Sequence, residues 1–182
     1  MNAMSDLERK ICDAAVRLGD AARQRNHRIV TAESCTGGAI AAAITEVPGS
    51  SEWFEEGFVT YAVHAKTHTL DVREDLIERC GVVSEPVAQA MARAALAKST
   101  NATVSVAVTG VAGPGGGTPE VPVGTVAVGW AERFNGHIVS CSRTLHIPGS
   151  RHIVRRQTVL TALLGLTELM QFGNPSVMPC EY

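Results

Sequence analysis

Residues 28–44 constrain the fold more than any other stretch of the chain. Arg28-Ile29-Val30-Thr31-Ala32 is a short run rich in β-branched side chains, which favour a pleated strand. It passes through Glu33-Ser34-Cys35-Thr36-Gly37-Gly38 into the alanine-rich residues 39–44, which favour a helix. A strand that turns on glycines into a helix commits the chain to α/β architecture, and the rest of the pattern follows suit. Upstream, Leu7, Ile11, Ala14, Ala15, Leu18 and Ala22 recur at helical spacing over residues 6–25. Downstream, residues 57–61 read as a strand and 62–70 as a helical turn or two. Ser84 reads as the N-cap of a helix over 85–98 with Pro86 in its first turn. Residues 102–108 alternate as a buried strand, and 124–131 and 137–147 flank Asn135-Gly136, a hairpin signal. A last helix begins near residues 149–151 and carries Ile153, Val154, Val159, Leu160, Leu163, Leu164 and Leu166. The expectation is an α/β fold of three layers, α/β/α, around a mixed, mostly parallel sheet of about five strands including one antiparallel hairpin. Residues 1–172 read as a single domain and 173–182 as a tail.

Charge and cysteine usage narrow the function classes. Sixteen basic against eighteen acidic residues leave a net charge of −2, so no broad electrostatic footprint for nucleic acid or an anionic membrane is expected. No apolar run approaches the ~20 residues of a bilayer span, and the chain opens into a charged amphipathic segment rather than a signal peptide. The five cysteines (Cys12, Cys35, Cys80, Cys141 and Cys180) are odd in number and form no CxxC pair, which argues against a disulfide framework and a structural zinc site. A reducing, cytoplasmic setting is the expectation.

Two glycine-bearing segments carry candidate chemistry. At 31–38, hydroxyl and thiol groups stand where a strand gives way to a helix, so that unpaired backbone N–H groups face whatever binds there. Ser34 and Thr36 can serve as helix caps or Ser34 as a nucleophile, with Cys35 as its rival, since a helix N-terminus lowers a thiol pKa. Neither a GxSxG elbow nor SxxK spacing is present, so a base for Ser34 must come from elsewhere in the chain. Tyr61 and Lys66 lie at or just beyond a strand end, where ligands collect in open α/β sheets, and a desolvated lysine can act as a general base. The second segment, 109–118, also follows a strand end. It lacks the ending of a P-loop and does not fit GxGxxG. His64 and His68 stand four apart without the glutamate of a zincin motif, and no metal is expected. Arg151, Arg155 and Arg156 could reach a phosphate or carboxylate, with at least two of the three expected on a solvated helix face.

Four co-linear motifs together carry a family resemblance. They are Ala32-Glu33-Ser34-Cys35-Thr36-Gly37-Gly38; Val59-Thr60-Tyr61 with Lys66 five residues on; Val83-Ser84-Glu85-Pro86-Val87-Ala88; and 107–117 followed by Pro122-Val123-Gly124-Thr125. In these the chain resembles the CinA C-terminal domain family, the stand-alone nicotinamide-nucleotide amidohydrolases, from about residue 7 to 169. The resemblance implies a three-layer α/β/α enzyme that deamidates nicotinamide mononucleotide to nicotinate mononucleotide and ammonia for NAD recycling, with no metal or organic cofactor. It implies Ser34 as nucleophile, Lys66 as general base and Tyr61 beside it. Backbone amides of Cys35, Thr36, Gly37 and Gly38 would hold the oxyanion, and Thr109, Gly110, Gly113, Gly115, Gly116 and Arg151 the substrate. A small-molecule nucleotide is the expected partner, with no nucleic acid or membrane, and a homodimer or higher homo-oligomer the expected assembly. Family members usually follow the tyrosine with Ser-Asn, where this chain has Ala62-Val63. Other readings are a nucleotide-binding module with weakened hydrolysis, an amidase for another small carboxamide, and a competence- or damage-associated interaction domain.

Overall fold

The computed structural model describes residues 5–172, so the tail expected at 173–182 lies outside the described residues. Helix α1 (Asp6–Arg25) is capped by Ser5, whose side chain accepts from the Glu8 N–H. It leads into β1 (Ile29–Glu33), α2 (Ala39–Thr45), a short 3-10 turn (Ser50–Glu52) and β2 (Phe54–Val59). Next come α3 (Val63–Leu70), α4 (Glu74–Cys80), α5 (Glu85–Lys98) and β3 (Val104–Gly110). The hairpin β4 (Thr125–Phe134) and β5 (His137–His146) and the long α6 (Arg151–Phe172) complete the chain. No helix among the described residues is long and apolar enough to cross a membrane.

The five strands form one sheet in the order β2-β1-β3-β4-β5. β1 runs parallel to both β2 and β3, whereas β4 is antiparallel to β3 and to β5. The sheet is therefore mixed, not mostly parallel as the sequence suggests, and its two antiparallel ladders are the longer ones. The reason is local: Asn135 and Gly136 both take positive φ, so the hairpin closes in two residues and needs no crossover helix.

Alternation along the strands sends side chains to two faces. Val104, Val106 and Val108 of β3 join Ile29, Val126 and Val128 in a core beneath α1, α2 and α6. Val30, Ala32, Ala107 and Ala131 face the other way and pack with Val87, Met91, Ala95 and Leu96 of α5. Small residues allow the close approach of both layers. A Cβ on Gly165 of α6 would stand 2.4 Å from the Trp130 ring, and one on Gly129 would stand 2.5 Å from the Ala88 carbonyl of α5. α1 and α6 lie side by side and run the same way: Arg156 pairs with Glu8 near one end, and Arg25 donates to the Gln171 carbonyl at the other.

Strand direction places the site. β1, β2 and β3 are mutually parallel, and two reversals return β5 to the same sense, so all four end at one edge of the sheet. The segments leaving those ends, and the glycine-rich connection from β3 to β4, meet there, as ligand-binding segments do in open α/β sheets.

Candidate active site

β1 ends on Glu33, and the Glu33 side chain rather than Ser34 or Thr36 caps α2. This fully buried carboxylate accepts from the N–H groups of Gly38, Ile40 and Ala41 at 3.0, 3.0 and 2.8 Å and from the Thr36 hydroxyl at 2.6 Å. A carboxylate at a helix N-terminus satisfies donors the helix cannot and complements its dipole. Ser34 is thereby released from capping and sits in the turn between strand and helix, with its N–H bonded to the Val108 carbonyl at 3.1 Å.

Lys66 approaches that turn from α3. Its side chain is 1% exposed, and its Nζ donates to Ser34 Oγ at 2.9 Å, to the Thr60 carbonyl at 2.7 Å and to the Tyr61 carbonyl at 3.3 Å. Among the described residues no carboxylate pairs with it. Burial thus acts unopposed by an ion pair and brings the Lys66 ammonium down from 10.5 to about 8. Ser34 Oγ in turn donates to the Tyr61 carbonyl at 3.4 Å. The two residues, 32 apart in sequence, form a hydroxyl–amine pair in which the amine is poised to lose its proton near neutrality.

The rival nucleophile is disfavoured. Cys35 is buried, and burial pushes its thiol up to about 11, so it stays protonated at neutral pH despite its place before α2. The backbone donors of the turn are also unequal. Gly37 N–H bonds the Ser34 carbonyl at 3.0 Å and Gly38 N–H the Glu33 carboxylate, so neither is available to an oxyanion as the sequence suggests. The N–H groups of Cys35 and Thr36 donate to no other residue among those described and are the two that remain.

A cavity of about 170 Å³ opens beside Ser34 and Lys66. Its apolar wall is Val63, Val82, Val83 and Ala112; Cys35, Thr109, Gly110, Tyr61 and Arg151 complete the lining. Thr109 donates its hydroxyl to the Val82 carbonyl at 2.8 Å, which ties β3 to the segment before α5 and sets the wall. The Arg151 guanidinium stands at the first turn of α6, donating to the Gly113 carbonyl at 2.8 Å and to the Tyr61 hydroxyl at 3.0 Å. Gly113 thus serves through its carbonyl, while Gly115 and Gly116 are exposed and lie outside the cavity lining, contrary to their expected place against a substrate. Tyr61 enters the Ser34–Lys66 pair through its main chain; its ring is exposed and faces Arg151. His64 and His68 are exposed on α3.

Glu33, Arg155 and the valine wall are not legible as site residues from spacing. Arg155 donates to the Cys35 and Thr36 carbonyls instead of facing water. Ala62 occupies the N-cap of α3 with extended backbone and no side-chain bond to the helix. Ala62→Ser is expected to supply that bond and to stabilise the fold by about 1 kcal/mol, read as a melting temperature higher by about 2–4 °C. An unchanged melting temperature would mean that the α3 terminus is already satisfied by solvent.

Comparison with known proteins shows the family. The "Nicotinamide-nucleotide amidohydrolase PncC" of Pseudomonas putida is 52% identical over 159 residues, spanning 87% of this chain and 96% of that protein. The protein of the same name from Escherichia coli (strain K12) is 43% identical over 160 residues, spanning 88% of this chain and 93% of that protein. Among solved structures, the competence/damage inducible protein CihA from Agrobacterium tumefaciens superposes with a TM-score of 0.81 at 40% identity, covering 93% of this chain and 99% of that one. The family profile described as CinA C-terminal domain matches residues 12–170. With the profile covering most of the sequence and these relatives matching nearly end to end, the chain belongs to the CinA C-terminal domain family.

Proposed function

We propose that this chain is a serine amidohydrolase that converts nicotinamide mononucleotide to nicotinate mononucleotide and ammonia. The observation that carries the reading is the 2.9 Å approach of a buried, carboxylate-free Lys66 Nζ to Ser34 Oγ. The names of the two amidohydrolase relatives supply the substrate class.

A neutral Lys66 has two N–H bonds and one lone pair. The Thr60 and Tyr61 carbonyls take the two N–H bonds, which leaves the lone pair for Ser34 Oγ. Once Lys66 has lost its proton, the Ser34 hydroxyl turns from the Tyr61 carbonyl to Nζ. Ser34 Oγ then attacks the carboxamide carbon and its proton passes to Lys66. The N–H groups of Cys35 and Thr36 receive the oxyanion. The Lys66 ammonium protonates the departing nitrogen, ammonia leaves, and an ester to Ser34 remains. Water, deprotonated by Lys66, attacks that ester; collapse returns the proton to Ser34 Oγ and releases the carboxylic acid, which ionises by giving its proton to solvent.

Val63, Val82, Val83 and Ala112 form the slot for the pyridine ring. At about 170 Å³ the cavity is smaller than the ~300–1,000 Å³ of pockets that enclose a whole drug-sized ligand. Only the carboxamide end is enclosed, and the ribose phosphate lies at the mouth. There Arg151 exchanges its bonds to Gly113 and Tyr61 for the phosphate, for which a guanidinium fork is well shaped.

Incubation with nicotinamide mononucleotide is expected to release ammonia and nicotinate mononucleotide in equal amounts. kcat/KM should rise with pH through about 8 and level off above it, because only neutral Lys66 is a base and kcat/KM reports the free enzyme. Binding without ammonia release would identify a nucleotide-binding module, and ammonia from other carboxamides alone would reassign the substrate.

A further inference from the structure

α6 brings two adjacent arginines to opposite duties. Arg156 is neutralised by Glu8 of α1. Arg155 makes no salt bridge among the described residues. Its Nε donates to the Cys35 carbonyl at 3.1 Å and its Nη2 to the Thr36 carbonyl at 2.8 Å. Gly37, in the left-handed region at φ 61, presents no side chain to the guanidinium; a Cβ there would stand 3.8 Å from Nη2. An uncompensated cation is thus clamped to two successive peptides of the turn that carries Ser34.

We propose that Arg155 is a positioning residue for amide hydrolysis, which aims and polarises the Thr36 N–H as an oxyanion donor. The inference rests on the acyl-transfer reading above. A trans peptide is planar, with its C=O and N–H pointing in opposite directions. In the described structure the Gly113-Pro114 bond alone is cis, so the 35–36 peptide obeys this rule. Drawing the Cys35 oxygen onto Arg155 turns the Thr36 N–H away from the guanidinium. The cation at the oxygen end also withdraws electron density from the nitrogen end, which makes that N–H a stronger donor. The second clamped peptide is oriented in the same way, but its Gly37 N–H is already spent on the Ser34 carbonyl. Arg155 therefore acts on one open donor, and it does so without touching substrate. Two separate nitrogens of the planar guanidinium, Nε and Nη2, meet the two carbonyls, a spacing that a lysine ammonium, with all its donors on one nitrogen, matches only in part.

The test uses the full chain and four variants: Arg155→Met, Arg155→Lys, Arg156→Met and Ser34→Ala. It reads kcat and KM for nicotinamide mononucleotide beside inhibition by pyridine-3-boronic acid. Ser34 Oγ adds to this probe's boron, its proton passing to Lys66, to give an anionic tetrahedral adduct that needs the same donors as the oxyanion. Arg155→Met is expected to lower kcat by about 100-fold with KM unchanged, and to weaken boronate inhibition by a similar factor. Arg155→Lys should recover only part of both. Arg156→Met should lose melting temperature through the broken α1–α6 pair while keeping kcat and boronate affinity. Wild-type kcat and boronate affinity in Arg155→Met would overturn the proposal, as would equal losses in Arg155→Met and Arg156→Met. Should Arg155→Met fail to fold, Arg155→Lys decides, with full activity overturning the proposal. Turnover by Ser34→Ala would instead sink the acyl-transfer reading itself.

Discussion

Replacing Ser34 by alanine is expected to lower kcat by about 10⁶-fold, the scale on which loss of an activated serine removes nucleophilic catalysis elsewhere. The fold should survive the change. Among the described residues Ser34 Oγ bonds only Lys66 Nζ and the Tyr61 carbonyl, while the turn is held by the Glu33 carboxylate and by Arg155. Nicotinamide mononucleotide should still bind, because the ring wall and Arg151 are untouched. Ammonia release over time measures the effect, and intact-mass analysis of the wild type under substrate should reveal an acyl adduct that the variant lacks. Wild-type turnover by Ser34→Ala would remove Ser34 from the mechanism and return Cys35 to consideration, although burial keeps that thiol protonated up to about pH 11.

Lys66→Met is the second change with a large expected effect, a loss in kcat of about 10⁴-fold with KM little altered. A rise in KM alone would mean that Lys66 binds substrate and does not move protons. The same substitution has a thermodynamic signature. Between about pH 8 and 10.5 the unfolded chain holds a proton on Lys66 that the folded chain has released, so the contribution of Lys66 to stability rises with pH across this window. The gain is about 3 kcal/mol, from a shift of about two and a half pKa units. Denaturant unfolding at pH 7.5 and 10.5 should show the stability difference between wild type and Lys66→Met changing by that increment, the raised Cys35 thiol acting alike in both; a difference that does not change with pH would mean that Lys66 is not desolvated in solution.

Much of the scaffold is legible in the sequence because its signals are periodic and local. α1 follows from apolar residues three and four apart, the β4–β5 hairpin from Asn135-Gly136, and the start of α6 from Gly149-Ser150-Arg151. Where a local rule has a tertiary competitor, the reading slips. Ser84 is the N-cap of α5 by position, yet its hydroxyl donates back to the Gly81 carbonyl and leaves the helix end without a side-chain cap. β2 begins at Phe54, ahead of the stretch 57–61, because Phe54 pairs with Ile29. α4 escapes notice: Leu76 and Ile77 are its only apolar residues apart from the exposed Cys80, and none of its residues is fully buried.

The site divides in the same way. Ser34 and Lys66 stand out as chemical types at strand ends, and the motifs that surround them carry a family resemblance. Their pairing, however, depends on β1 and β2 lying parallel with matched ends. The duties of Glu33, Thr109 and Arg155 are harder still to read, because each is defined by a partner on another element or across a turn. Arg155 and Arg156 are neighbours of one type on one helix, and only the packing of α6 against α1 and the Ser34 turn tells them apart.

The two carbonyls that hold Lys66 Nζ belong to the main chain, and its third ligand is Ser34 itself. In the proposed proton relay the Tyr61 side chain is therefore a spectator. Drift at Tyr61, whose exposed ring lines the cavity, can retune what the mouth accepts while the proposed dyad keeps its alignment. That separation gives descendants of such a chain a short mutational route to new carboxamides, with no need to rebuild the base at each step.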